Sequence, residues 1–213
     1  RCMNAQEVFG IQLPLIQAPM AGVQASALTI AVSQAGGLGS LPCAMLTHDA
    51  LRTELAVIAT SGIKAYQINF FAHTPPVPDA AREAAWREVL APYYREFGID
   101  AASIPTGPGR MPFSPEALEI IAPFKPPVVS FHFGLPPDDL LAPIRAWGGK
   151  ILSSATTLAE ARWLAARGVD AIIAQGLEAG GHRGMFLSDD LTTQIGTLPL
   201  VRQIVRSVDK PVI

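Results

Sequence analysis

Short apolar runs recur along this chain, each breaking into polar residues, with amphipathic or small-residue stretches between them. Leu13 to Ile16 is the first run and empties into Gln17, Ala18, Pro19, Met20, Ala21 and Gly22, where proline and glycine end a strand. Ala25 to Ala35 reads as a helix closed by Gly36 and Gly37, and Leu38 to Leu41 as the second strand. His48 to Ser61 sets Leu51, Leu55 and Ile58 on one helical face, with Gly62 as its stop. Ala65 to Phe71 is a third strand, carrying Asn69 near its end. Farther on, Pro127 to Phe131 is a buried strand running into His132, Phe133 and Gly134. A helical stretch from Asp138 to Trp147, interrupted by Pro143, precedes a strand at Ile151 to Ser153 that ends in Ser154, Ala155 and Thr156. Thr157 and Glu160 have capping-box spacing and open a helix through Arg167, stopped by Gly168. Val169 to Ala174 is the next buried strand, a helix follows near Leu198 to Ser207, and Pro211 to Ile213 begins another strand.

Strands apolar on both faces and alternating with helices make a parallel sheet covered by helices. Either a doubly wound sheet or an eight-stranded TIM (βα)8 barrel holds this pattern. Polar residues stand at the C-terminal end of nearly every strand: Gln17, Asn69, His132, Ser154 and Gln175. A barrel aims all its strand ends at one mouth, whereas an open sheet uses mainly its switch point, and no GxGxxG follows the first strand, so the barrel is favoured. Residues 75–122 break the rhythm with a helix from Asp79 to Phe97, a Pro/Gly-rich stretch from Gly98 to Pro115, and a short helix capped by Ser114. This segment reads as an insertion, either a lid or a cover for one side of the core. The expectation is a single α/β domain over residues 1–213.

Composition agrees with that fold and narrows the function. The 213 residues are 49% hydrophobic and 16% charged, enough for one sizeable core. A net charge of −2 gives no pull toward nucleic acid or an anionic membrane. No apolar run approaches the ~18 residues of a spanning helix, and no signal peptide opens the chain. Arg1 is not an initiator, and Met3 is a candidate start. Cys2 and Cys43 form no CxxC, which suits free thiols in a cytoplasmic protein.

The charges also restrict the chemistry. Lys64, Lys125, Lys150 and Lys210 each lie just before a strand, at the bottom face of a barrel, where a Schiff-base lysine has no use and solvation is the plain role. Glu178 is the one clear carboxylate at the mouth, which argues against a paired-carboxylate glycosidase. His132, Glu178 and His182 lack the short spacing of metal ligands. What remains is a histidine, amides, hydroxyls and the loop AQGLEAGGHRG at 174–184, whose Gly180-Gly181 pair lets backbone N–H groups approach an anion. That equipment suits a phosphate-bearing cofactor that does the hard step. His182 and Arg183 read as braces of the loop.

Five stretches carry a resemblance: PLIQAPMAGV at 14–23, QINFF at 67–71, PVVSFHFGLP at 127–136, SSATTLAEA at 153–161 and AQGLEAGGHRG at 174–184. In order and together they resemble the nitronate monooxygenase family, formerly the 2-nitropropane dioxygenases. The resemblance implies an FMN-binding TIM barrel that oxidises alkyl nitronates with O2 to a carbonyl compound and nitrite. It implies that Pro19, Met20 and Ala21 lie along the flavin ring and that Asn69, Ser154 and Gln175 contact the cofactor. It places Gly180 and Gly181 at the FMN phosphate and makes His132 the catalytic base. It also implies a second Gly-rich phosphate segment after the strand that begins at Pro211, and an eighth strand, so that the 213 residues resemble most of a barrel. The implied partners are an alkyl nitronate and O2, with a homodimer as a candidate assembly.

Each position has a plainer reading. Asn69 suits a strand end, Met20 a core, and Ser154 and Thr156 local backbone hydrogen bonds. Two other functions fit the same fold: a flavin-dependent enoyl reductase of fatty-acid synthesis using reduced nicotinamide, and a non-catalytic flavin-binding barrel. His132 argues against the first, and His132 with Asn69 against the second.

Overall fold

The computed structural model describes residues 5–104 and 110–213. They form two compact units, one comprising the chain up to His73 together with Pro112–Ile213, the other Thr74–Met111. The larger unit contains α1 (Ala5–Phe9), α2 (Ser26–Gln34), β1 (Gly39–Pro42), α3 (His48–Ser61) and β2 (Tyr66–Phe71). After the smaller unit, which carries α4 (Ala80–Glu96), it continues with α5 (Pro115–Ile121), β3 (Val128–His132), α6 (Asp138–Ala146) and β4 (Lys150–Ala155). It ends with α7 (Leu158–Ala166), β5 (Ala171–Ala174) and α8 (Thr197–Val205).

The five strands pair in parallel in the order β1-β2-β3-β4-β5. A doubly wound sheet reverses its strand order at a switch point. This sheet never reverses, so right-handed crossovers keep winding the same way. Two isolated parallel bridges extend it: Ile16 to Leu38 beyond β1, and Val212 to Ile172 beyond β5. The runs expected at Leu13 to Ile16 and at Pro211 to Ile213 therefore take their places in the sheet, each through a bridge rather than a full strand.

Period-two alternation divides the sheet into two faces. One face carries Leu41, Ile68, Phe70, Val129, Phe131, Ile151 and Ile172, which join Leu55, Ile58, Ile121, Leu141, Ile144, Leu164, Leu200 and Ile204 of the helices in the main core. The other face gathers Leu38, next to β1, with Val128, Leu152 and Ala171 of β3, β4 and β5, against Phe9 and Ile11. Burial of α1's Phe9 explains why that short helix forms; its five residues are too few to show a periodic pattern. Toward the C-terminal strand ends this second face turns polar, with buried Gln17, Ser40, Gln67, Asn69, Ser130 and Ser154.

Several expectations need adjustment. The inserted segment is shorter than 75–122. It ends at Met111, and α5 belongs to the larger unit, where Ala117, Ile120 and Ile121 join the main core. Ser114 caps α5 as its spacing requires, its Oγ accepting from Ala117 N at 3.3 Å. In the smaller unit Asp79 caps α4 through Ala81 N and Arg82 N, and Arg87 donates to the Ala101 carbonyl at 2.9 Å. The stretch expected to be irregular, Gly98 to Pro115, holds a 3-10 turn at Ala101–Ser103, and its residues 105–109 lie outside the described residues. Lys150 is not merely solvated, since its Nζ pairs with Asp170 Oδ1 at 3.1 Å. Cys43 is a free buried thiol, pushed far above the usual thiol range by burial, and Cys2 lies outside the described residues. Among the described residues no helix is long and apolar enough to cross a membrane.

Candidate active site

His132 is the last residue of β3, opposite Phe71 in the register of β2. Strand alternation turns its side chain to the polar face, since Val129 and Phe131 belong to the main core. The chain then makes a sharp exit. Phe133 has φ of 69° and Gly134 of 89°, two consecutive left-handed residues. For a bulky residue such as Phe133 this costs about 1–3 kcal/mol, and such strain collects at functional sites. It brings the Phe133 ring to 4.6 Å from that of His132, between centroids. Phe71, Phe133 and His182 complete an aromatic cluster, with Phe71 to His182 at 5.4 Å and Phe133 to His182 at 5.9 Å.

Both ring nitrogens of His132 are engaged. Nδ1 lies 2.9 Å from Ser154 Oγ, and Nε2 lies 3.0 Å from the backbone carbonyl of His182. A carbonyl only accepts, so Nε2 carries the hydrogen and Nδ1 accepts from the serine hydroxyl. Burial holds the pKa of His132 below the ordinary histidine value; His182 and Arg183 add to that, while the hydrogen bond to the His182 carbonyl and the charge of Glu160 oppose it.

The Gly-rich loop is braced from within. Arg183 donates to the carbonyls of Gly176 at 2.7 Å and Leu177 at 2.9 Å, the bracing role its place in the motif suggested. Glu178 accepts from Thr197 N at 2.8 Å and Thr197 Oγ1 at 2.9 Å, capping α8 and leaving its carboxylate occupied. Gln175 is a loop brace too: its Nε2 donates to the His182 carbonyl at 2.8 Å and its Oε1 accepts from Gly184 N at 2.6 Å. Gly180 and Gly181 sit exposed at the tip, and a Cβ on either would meet nothing within 4 Å.

Sequence-predicted residues thus separate into groups. His132 and Gln175 meet at the His182 carbonyl, and Ser154 joins them through Nδ1 of His132. Asn69 lies one strand away, its Nδ2 donating to Ser130 Oγ at 2.9 Å. Pro19 and Met20 are exposed just beyond the bridge at Ile16, with Ala21 half-buried at the start of a turn. Among the described residues no hydrogen bond or ring contact ties these three, or Gly180 and Gly181, to the His132 group; their role stays with the ligand they would meet. Among the described residues no three His, Cys, Asp or Glu side chains are placed to hold a metal ion.

Two residues of the site escaped the sequence reading. Glu160, almost fully buried, accepts from Thr156 N and Oγ1 at 2.7 Å with one oxygen. Its other oxygen accepts from Phe186 N at 2.7 Å and Leu187 N at 3.3 Å. It fastens the end of β4 to the segment just after the Gly-rich loop. Its spacing from Thr157 marks a helix start, and Thr157 Oγ1 does accept from Glu160 N, but the carboxylate reaches Thr156 rather than closing the box on Thr157. Gly184, the last glycine of the motif, is the other, with His132 packed where its side chain would be.

Fold and site together define a singly wound parallel α/β domain with a histidine-centred site at the C-terminal ends of its strands. The chain belongs to the nitronate monooxygenase family, a family of oxidoreductases, which it matches over residues 3–213. It is 41% identical to nitronate monooxygenases from Paraburkholderia phytofirmans and Pseudomonas aeruginosa, over 97% of its own length in each case. It covers 57% and 59% of those proteins, so the chain spans less than two thirds of the relatives it matches. The crystal structure of a nitroalkane oxidase from Streptomyces ansochromogenes is similar, with a TM-score of 0.82 at 34% identity, covering 99% of this chain and 59% of that one. FabK from Thermotoga maritima shares the fold, with a TM-score of 0.67 at 24% identity over 97% of this chain and 51% of that one.

Proposed function

We propose that the whole protein is an FMN-dependent nitronate monooxygenase on a closed eight-stranded barrel, converting alkyl nitronates and O2 to a carbonyl compound and nitrite. The observation that carries this reading is the placement of His132: one edge fixed by Ser154, the other turned to the loop at the strand ends, in a chain of this family.

The residues present fit the cofactor. Gly180 keeps open space where a side chain would be, although nothing in the protein packs there, as a backbone that receives a phosphate requires. On the polar face, Ser40 Oγ and Gln67 Oε1 are buried with no hydrogen-bond partner, side by side in the register of β1 and β2. Buried polar atoms left unpaired call for an explanation, and a ring with donors and acceptors on its edge supplies one. Gly180 and Gly181 would hold the phosphate, Pro19 to Ala21 and Asn69 the ring. Bound FMN would take electrons from the nitronate and pass them to O2.

The chain's own part is proton transfer and orientation. A nitroalkane binds with its α-carbon at the Nε2 edge of His132, which takes the α-proton and leaves the nitronate. Burial helps, because a histidine held below its ordinary pKa is already neutral at neutral pH. Phe133 and Phe71 flank the imidazole, their ring centroids 4.6 and 6.2 Å from its own.

Acid precipitation of the full-length protein should leave FMN in the supernatant, and addition of an alkyl nitronate to the holoenzyme should consume O2 and release nitrite. A colourless or FAD-containing supernatant would overturn the cofactor assignment. Rapid anaerobic bleaching by reduced nicotinamide, without nitrite release from nitronate in air, would favour the enoyl reductase instead.

A further inference from the structure

We propose that Ser154 is a positioning residue that sets the tautomer of His132, its hydroxyl switching from donor to acceptor so that Nε2 becomes free to take the α-proton. This rests on the reading of His132 as a base. It differs from the role of cofactor contact that family resemblance implies for Ser154.

The two edges of the imidazole are not equivalent. The Nδ1 edge is closed: Ser154 Oγ stands 2.9 Å away, and the Gly184 backbone packs so near that an added Cβ would stand 3.0 Å from Nδ1 and 2.5 Å from Cε1. No reactant fits there. The Nε2 edge meets only the backbone carbonyl of His182, in an exposed hydrogen bond from a surface loop. Substrate therefore reaches the ring at Nε2.

In the observed arrangement Nε2 is the protonated nitrogen, because its partner only accepts. That tautomer offers no lone pair to a C–H. A base at Nε2 requires the hydrogen on Nδ1, and Nδ1–H requires an acceptor on the closed edge. Ser154 Oγ is the one partner there, and a hydroxyl donates or accepts by rotating. Nδ1 thus stays paired in both tautomers and in the imidazolium. The carbonyl that Nε2 gives up also stays paired, since Gln175 Nε2 holds it at 2.8 Å. The groups facing His132 are His182 and Arg183, which disfavour its charged form, and Glu160, which favours it.

The step balances without an oxidant. The α-C–H bond of the nitroalkane breaks, its electron pair becomes the C=N bond of the nitronate, and the proton bonds to Nε2. The products are the nitronate anion and an imidazolium whose Nδ1–H is donated to Ser154. An alanine at 154 would strand Nδ1–H in the closed edge, and a buried unpaired donor is costly. The ring would stay in the unproductive tautomer.

The test uses full-length holoenzyme with Ser154→Ala and Ser154→Thr. Rates are measured on nitroethane and on preformed ethyl nitronate across pH, and tautomers by 15N NMR of histidine-labelled protein. The ratio of nitroethane to nitronate rates should fall about 10- to 100-fold in Ser154→Ala and recover to within about threefold in Ser154→Thr, because only the alanine lacks the hydroxyl. The 15N signals of His132 should show a population of the Nδ1–H tautomer beside the resting Nε2–H form in the wild type and in Ser154→Thr, and the Nε2–H form alone in Ser154→Ala. Equal losses on both substrates, as a cofactor or folding role requires, or an unchanged ratio, would overturn the proposal. If the wild type turns over neither substrate, the reading of the enzyme fails instead. Identical 15N patterns in wild type and Ser154→Ala would then still overturn the tautomer role.

Discussion

A Cβ on Gly184 would stand 2.5 Å from Cε1 of His132, closer than real Cβ contacts come. The ring cannot simply yield, since Ser154 and the His182 carbonyl hold both its nitrogens, and Gly184 is itself held by Gln175 Oε1 at 2.6 Å. Gly184→Ala should therefore move the ring or the loop. The expected result is a loss of about a hundredfold in nitroalkane turnover, the low end of a general base's contribution, with the far-UV circular dichroism spectrum unchanged. Steady-state rates decide it, and wild-type turnover would show that the loop gives way freely.

Glu160 offers a prediction for stability. Its two oxygens accept four hydrogen bonds from Thr156, Phe186 and Leu187, and every one of those partners is a donor. Glu160→Gln keeps the shape but turns an NH2 toward some of these donors, leaving at least one buried N–H without a partner. The cost should be about 2 kcal/mol, within the usual penalty for an unsatisfied buried group. For a domain of this size that lowers Tm by about 4–8 °C. Urea unfolding of the two forms measures it, and an unchanged midpoint would mean that the 186–187 segment contributes nothing to the folded state.

Much of this was legible in the chain. Alternating apolar runs and helices predict a parallel sheet, and the seven runs all enter it in sequence order. Caps at Ser114 and Thr157 were visible because N-capping is local chemistry. The histidine at the end of Val128–His132 stood out because a polar residue closing a buried strand has few plain uses. What escaped were relations between distant segments. Glu160 looks like a helix start, and only the fold brings Phe186 to it, 26 positions away. Gly184 looks like one more loop glycine until His132, 52 positions earlier, is packed against it. The left-handed Phe133 has no local signature either, since tertiary packing imposes that conformation against the residue's own preference.

Depression of the His132 pKa fixes a pH dependence. Burial disfavours the imidazolium, so the neutral base persists to lower pH than the ordinary value of 6.5 allows. In kcat/KM for a nitroalkane, the acid limb should have its midpoint below about 6.5. The same shift acts on folding. Beneath 6.5 the unfolded chain binds this proton before the folded one, so stability present above that value is lost as pH falls through the depressed one. His132→Asn removes this contribution, and the stability difference between the two forms should change with pH only on the acid side of about 6.5. An acid limb centred above that value would contradict the role of burial.

The decisive prediction concerns what His132 does rather than where it sits. A general base contributes about 10²- to 10⁴-fold, and only to the step that removes a proton. A nitroalkane needs that step and its nitronate has already completed it. His132→Asn keeps a planar polar side chain whose amide, near the position of Nδ1, can still meet Ser154 Oγ, the partner at 2.9 Å in the wild type. An amide nitrogen, however, cannot take a proton at neutral pH. The rate on nitroethane should therefore fall by about two orders of magnitude or more relative to the rate on ethyl nitronate. FMN content, read from the visible spectrum, should be retained. A histidine that only orients substrate or packs against Phe133 predicts parallel losses on both substrates, because orientation serves the nitronate as much as the nitroalkane. Steady-state rates for the two forms of one substrate separate these cases, and parallel losses would remove His132 from proton transfer.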